Sequence, residues 1–210
     1  MALIEMKVRE LLDSISLESP APGGGSASAL IGSVGAGLGA MVCKLTYTKK
    51  RFQNVEDKMK KIDEELESIK VKLLDIVDAD AEAFLGLMQA FKLPKETDEE
   101  KEARKYAIEH ATEKATQVPF KVMQYGMRIL ELLVDVARDG NPNSISDVGV
   151  ASGASLTAVK GAMLNVRINL SGIKDENFRT EIDKKSKLYE SKSIELAKKI
   201  DEIVNKKLEV

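Results

Sequence analysis

The sequence predicts an all-α fold, a single-domain helical bundle of about six helices spanning residues 1–210, with two small-residue helices at its centre. Three observations predict it. Apolar residues recur at steps of three and four in every long segment, and no stretch alternates as a strand over more than a few residues. The composition is rich in Ala, Leu, Lys and Glu, with 31% charged and only 4% aromatic residues, which favours long helices with one wet face. Two segments, Gly23 to Cys43 and Asp147 to Asn165, are instead dominated by Gly, Ala and Ser, as expected of helices packed backbone to backbone.

The first helix is read over Ile4 to Ser14, an amphipathic pattern with acids in it. The second starts near Ser26, after the proline-broken turn "SPAPGGG", and ends near Thr48. Its Ala29, Gly32, Ala36, Gly39 and Cys43 form a small-residue seam. The third runs from about Val55 to Phe91 and stops before Pro94. "TDEE" at Thr97 to Glu100 has capping-box spacing and opens the fourth, which reaches about Arg138 with a kink or break at Pro119. "DGNPN" is a turn. The fifth runs from Ser144 to Leu170, with a second seam of Asp147, Ala151, Ala154, Ala158, Gly161 and Asn165. Asp175 caps the last, which carries Ile182, Tyr189, Leu196 and Ile203 at seven-residue steps.

Several function classes are excluded or disfavoured. A net charge of −2 offers no basic excess for a nucleic-acid backbone. One cysteine, Cys43, rules out an internal disulfide, and one histidine, His110, rules out histidine-cluster metal sites. The N-terminus lacks signal-peptide order, so the cytoplasm is the simplest location. Gly23 to Cys43 is uncharged and close to membrane-spanning length, but its small residues suit a buried central helix better than a membrane span.

A few positions carry potential chemistry. Asp80 falls inside the apolar stripe Leu73, Ile76, Val77, Phe84, Leu87. Burial raises a carboxyl pKa, which suits proton transfer; a buried hydrogen bond to a neighbouring helix is the plainer reading. Asp147 opens the fifth-helix seam, and Asn165 and Asn169 close it one turn apart. Paired amides suit a flat heterocycle or simply hydrogen-bond helices together. The turn Gly23, Gly24, Gly25 leading into Ser26 joins a permissive loop to free helix amides, an arrangement suited to an anion. Lys49, Lys50 and Arg51 either complement the helix dipole or receive a carboxylate tail. His110 reads as a surface residue and Cys43 as a small core residue.

The stretches "SPAPGGGSASALIGSVGAGLGAMVCKLT", "DADAEAFLGLMQAFKLPKETDEEKEAR", "ATQVPFKV" and "GNPNSISDVGVASGASLTAVKGAMLNVRINL" together resemble the cyclodeaminase/cyclohydrolase family of folate enzymes, over roughly Ser19 to Phe178. The resemblance implies a homodimer and a tetrahydrofolate substrate, with or without a polyglutamate tail, and no metal or redox cofactor. It implies either hydrolysis of 5,10-methenyl-tetrahydrofolate to 10-formyl-tetrahydrofolate, or closure of 5-formimino-tetrahydrofolate to the methenyl form with loss of ammonia. The lean is to the cyclohydrolase, because no formiminotransferase domain is attached. Carried over residue by residue, it implies Asp80 and Asp147 as acid/base candidates. Gly23, Gly24, Gly25, Ser26, Lys49, Lys50, Ser146, Asn165 and Asn169 are implied to bind substrate. Lys44 and Phe52 depart from the Asn and Tyr that the resemblance leads one to expect.

Overall fold

A computed structural model describes residues 2–209, and among them the only regular elements are helices. Six α-helices follow in order: α1 (Val8–Ile15), α2 (Gly24–Tyr47), α3 (Glu56–Phe91), α4 (Asp98–Asp139), α5 (Ile145–Leu170) and α6 (Glu176–Leu208), with short 3-10 turns at Leu3–Glu5, Lys50–Val55 and Pro142–Ser144. The all-α reading holds, and most boundaries fall within two residues of those expected.

α2 and α5 lie side by side at the centre, flanked by α3 and α6, with α4 packed across one side of all four. Small residues permit this. A Cβ on Gly32 would meet Ala158 Cβ at 3.1 Å, and one on Gly35 would lie 3.0 Å from the Ala151 carbonyl oxygen. Gly24 lies by Asn165, and Gly161 by Ser28. These contacts run in opposite order along the two helices, so α2 and α5 are antiparallel. The second-helix seam is wholly buried: Ala29, Gly32, Ala36, Gly39 and Cys43 all face the core. Burial pushes the Cys43 thiol up to about 12, leaving it an inert core residue. α2 is long and apolar enough to cross a membrane, with mean hydropathy 1.6, yet 61% of that window is buried inside the bundle.

Four expectations need correction. Gly24 and Gly25 are in the first turn of α2 rather than in the loop before it. Pro119 does not break α4, which continues through it. The seven-residue series on α6 marks only the edge of its buried face, which is Ile182, Ser186, Ser193, Ala197, Ile200 and Val204. α1 forms, but of its residues only Leu11 is buried, while Val8 and Leu12 are exposed. The caps are as read. Thr97 Oγ1 accepts from Glu100 N at 3.2 Å, Glu100 Oε2 accepts from Thr97 N at 3.2 Å, and Asp175 Oδ1 accepts from Asn177 N at 2.9 Å.

Because Gly35 abuts α5 backbone, Gly35→Val is expected to lower stability by about 1–3 kcal/mol through overpacking. Gly86, which has no neighbour within 4 Å of a built Cβ, is the control. Gly86→Ala should stabilise by roughly 0.5–1 kcal/mol through helix propensity alone. Urea unfolding midpoints check both.

Candidate active site

Beside the start of α2, where α3, α4 and the end of α5 converge, lies a cavity of about 240 Å³. Its walls include Gly23, Gly24, Gly25, Asp80, Phe84, Asn165 and Asn169. Six of the positions singled out in the sequence thus share one pocket, and Ser26 contacts Asp80.

Asp80 is held by the helix it caps. Its Oδ2 accepts from Ser26 Oγ at 2.9 Å, and the carboxylate also accepts from the Ser26 backbone. A Cβ on Gly25 would collide with all three carboxyl atoms, so the glycine is the reason the carboxylate fits against the helix end. This contact favours the early start of α2: the acid accepts from the Ser26 amide in the first turn. Burial raises the Asp80 pKa above the ordinary carboxylate value, opposed by the Ser26 hydrogen bonds. The group is therefore readier to hold a proton than a surface aspartate.

The two asparagines are oriented by the backbone. Pro119 has no N–H, which leaves the carbonyl of Ala115, four residues earlier, without its helical donor. Asn169 Nδ2 fills that gap at 2.8 Å. Asn165 Nδ2 donates to Gly161 O at 2.9 Å. Both amides line the cavity with one N–H engaged, which leaves each a carbonyl acceptor and a second N–H donor. Phe84, one turn beyond Asp80 on α3, supplies an apolar wall. It was legible in the stripe but not read as part of the site. Pro20, Ala21 and Ile168, which also line the cavity, gave no chemical signal.

The remaining predicted positions lie elsewhere within the chain. Ser146 and Asp147 are at the opposite end of α5, about 27 Å from Asn165 at the rise of an α-helix. Lys49 and Lys50 follow the far end of α2 and are exposed. Asp147 and Asp80 therefore do not share a site within one chain, nor do the lysines reach the pocket. Helical spacing fixes a face and length along the axis separates its ends; the antiparallel pairing then sets the Asn165 end of α5 beside the start of α2. Lys44 and Arg51 are committed structurally. Lys44 Nζ pairs with Asp63 Oδ1 at 2.8 Å and Glu67 Oε1 at 2.6 Å. Arg51 donates to Asn141 Oδ1 at 3.0 Å and lies 4.7 Å over the Phe52 ring. His110 is exposed and stacks on Tyr106. Among the described residues no group of three or more His, Cys, Asp or Glu is placed to hold a metal ion.

The raised Asp80 pKa has a signed consequence. The folded state binds this proton more tightly than the unfolded chain. Stability from this group is therefore fully present below the unfolded pKa and is lost as pH rises through the folded value. Asp80→Asn, which keeps an acceptor for Ser26, is expected to flatten this part of the pH–stability curve. At neutral pH it should leave the Tm unchanged or higher. Thermal melts from about pH 4 to about pH 8 test it.

Comparison with known proteins identifies the chain's relatives. Residues 7–188 match the family model described as formiminotransferase-cyclodeaminase. The chain is similar to methenyltetrahydrofolate cyclohydrolase of Methylorubrum extorquens, 40% identical over 83% of this chain and 84% of that protein. It is similar to formimidoyltransferase-cyclodeaminase of Mus musculus at 34% identity over 85% of this chain, but it spans only 33% of that longer protein. Its structure superposes on the crystal structure of formiminotetrahydrofolate cyclodeaminase from Thermotoga maritima with a TM-score of 0.87 and 27% identity. That superposition covers 96% of this chain and 97% of the other.

Proposed function

The chain belongs to the formiminotransferase-cyclodeaminase family, and on that premise we propose that it is a methenyltetrahydrofolate cyclohydrolase, an enzyme of folate one-carbon metabolism. The observation that carries the reading is Asp80, a carboxyl of raised pKa, seated at a helix start in a cavity lined by Asn165, Asn169 and Phe84. The similarity to a cyclohydrolase over most of both chains supports the choice of reaction.

In this reading the pterin lies against Phe84, and its N–H edge donates to the carbonyls of Asn165 and Asn169. Water attacks the methenyl carbon between N5 and N10 as Asp80 takes its proton. The same carboxyl then protonates N5. The C–N5 bond breaks as the remaining hydroxyl loses its proton, giving the 10-formyl group and one net proton. A carboxyl held above the ordinary carboxylate range by burial takes and returns the proton in both steps. No cofactor beyond the folate enters, and the setting is cytoplasmic.

The second reading is formiminotetrahydrofolate cyclodeaminase, favoured by the likeness to the Thermotoga maritima structure. It uses the same tetrahedral carbon, with Asp80 protonating the departing ammonia. Absorbance of 5,10-methenyl-tetrahydrofolate separates the two. Accelerated loss over spontaneous hydrolysis is the expected result. Growth of that signal from 5-formimino-tetrahydrofolate, with ammonia released and no hydrolysis, would make the cyclodeaminase correct.

Asp80→Asn is expected to lower kcat by roughly 10²–10⁴-fold, the usual worth of a positioned acid or base. Gly25→Ala should also lower kcat with Asp80 intact, because the new methyl group displaces the carboxylate. Steady-state rates on the methenyl substrate check both.

A further inference from the structure

Pro20 and Ala21 line the Asp80 pocket from the segment that precedes α2. Behind them lies a second cavity. Ala21 and Pro22 also line a cleft of about 510 Å³, together with Ala2, Leu3 and Asp78. The pocket wall is thus one residue thick at Ala21, with open space on both sides. A segment without packed atoms behind it keeps its place only if something ties it down.

Apolar burial does little of this. Of residues 2–22 only Leu11 is buried, while Val8 is 76% and Leu17 66% exposed. The segment meets the bundle at its other end, where the Leu3–Glu5 turn packs on α3. There Leu3 N donates to Asp78 Oδ1 at 2.5 Å. Among the described residues this is the one hydrogen bond from residues 2–22 to the rest of the chain. The others are internal to the segment, including Ser19 Oγ to Ala21 O at 2.8 Å, which stiffens the turn that forms the wall. Asp78 stands two residues before Asp80 on α3, so the two carboxylates point about 160° apart around the helix. One turn of α3 carries both the acid/base group, facing the pocket, and the tie, facing the N-terminal strap.

We propose that Asp78 is a positioning residue of this active site: by holding the Leu3 amide it keeps the strap of residues 2–22 closed on α3, so that Pro20 and Ala21 stand as the outer wall against bound substrate. The inference rests on the folate reading above. The seat of Asp80 is made separately, by Gly25 and Ser26 of α2. Opening the strap therefore removes a contact to the ligand and leaves the acid in place. Apparent affinity falls with the fraction of molecules whose wall is set, so the effect is on KM. A purely structural role for Asp78 predicts the reverse, fewer folded molecules and a lower apparent kcat at unchanged KM.

The methenyl bridge is cationic, so loss of the Asp78 charge acts on KM by itself. Two variants separate charge from tie. Asp78→Asn and Asp78→Ala both remove the charge, and only Asn keeps an oxygen for the Leu3 amide. On 5,10-methenyl-tetrahydrofolate, KM of Asp78→Ala is expected to be roughly three- to tenfold above that of Asp78→Asn, the range of one hydrogen bond, with kcat within about twofold in both. Leu3→Pro removes the donor and keeps the charge. Ala2 is already extended, and proline is tolerated at the first position of a helical turn. This variant should raise KM in the wild-type background and not in the Asp78→Ala background. Equal KM for the two Asp78 variants, a lower kcat at unchanged KM, or an equal effect of Leu3→Pro in both backgrounds overturns the positioning role. Hydrogen exchange read by mass spectrometry tests the tie without any folate. The amides of residues 3–16 should exchange faster in Asp78→Ala than in wild type or Asp78→Asn, with α5 unchanged. Unchanged exchange in that segment overturns the tie. If wild-type protein turned over neither folate, the functional reading would fall, while the exchange would still decide whether Asp78 holds the strap.

Discussion

The close approach of α2 and α5 is the constraint on which the rest of this bundle depends. Gly32 and Gly35 allow the helix backbones to pack at distances that any larger residue would forbid. Once the two helices are that close, α3 can lie along α2 and α4 across both. Small residues give up apolar area, and the long Leu-, Ile- and Met-rich faces of α3 and α4 compensate: Met59, Leu66, Leu73, Met123, Leu130 and Leu133 are all fully buried.

The polar groups of the pocket are fixed largely by backbone features, with the Ser26 hydroxyl the one side chain that also holds Asp80. Asp80 is seated because Gly25 has no Cβ. Asn169 is aimed because Pro119 leaves the Ala115 carbonyl open. Asn165 leans back onto its own helix at Gly161. Each device spends a glycine or proline inside a helix, normally a destabilising choice, and each returns an oriented functional group. The "QVPF" and "PGGGSA" stretches thus have the same logic although they lie far apart in sequence.

Charge is distributed unevenly along the bundle. The pocket end presents a carboxyl and amide carbonyls, and the opposite end presents lysines. The long uncharged face of α2 joins them. A folate has a polar heterocycle at one end and an anionic tail at the other, so it needs both kinds of surface.

By itself the sequence determined the fold class, the helix order, the caps at Thr97 and Asp175, and the two central helices, because periodicity and capping are local properties of the chain. It also singled out Asp80, since a charge inside an apolar stripe is visible without any structure. Only the tertiary structure decided which ends of α2 and α5 meet. Helical spacing puts Asp147 and Asn165 on one seam and the length of α5 sets them at opposite ends; the antiparallel pairing decided that the Asn165 end meets the start of α2. Tertiary contact likewise drew Gly24 and Gly25 into the helix and kept α4 continuous through Pro119. In both places, donors and acceptors from another helix replaced what the local sequence lacks, and no reading of one segment at a time contains that partner.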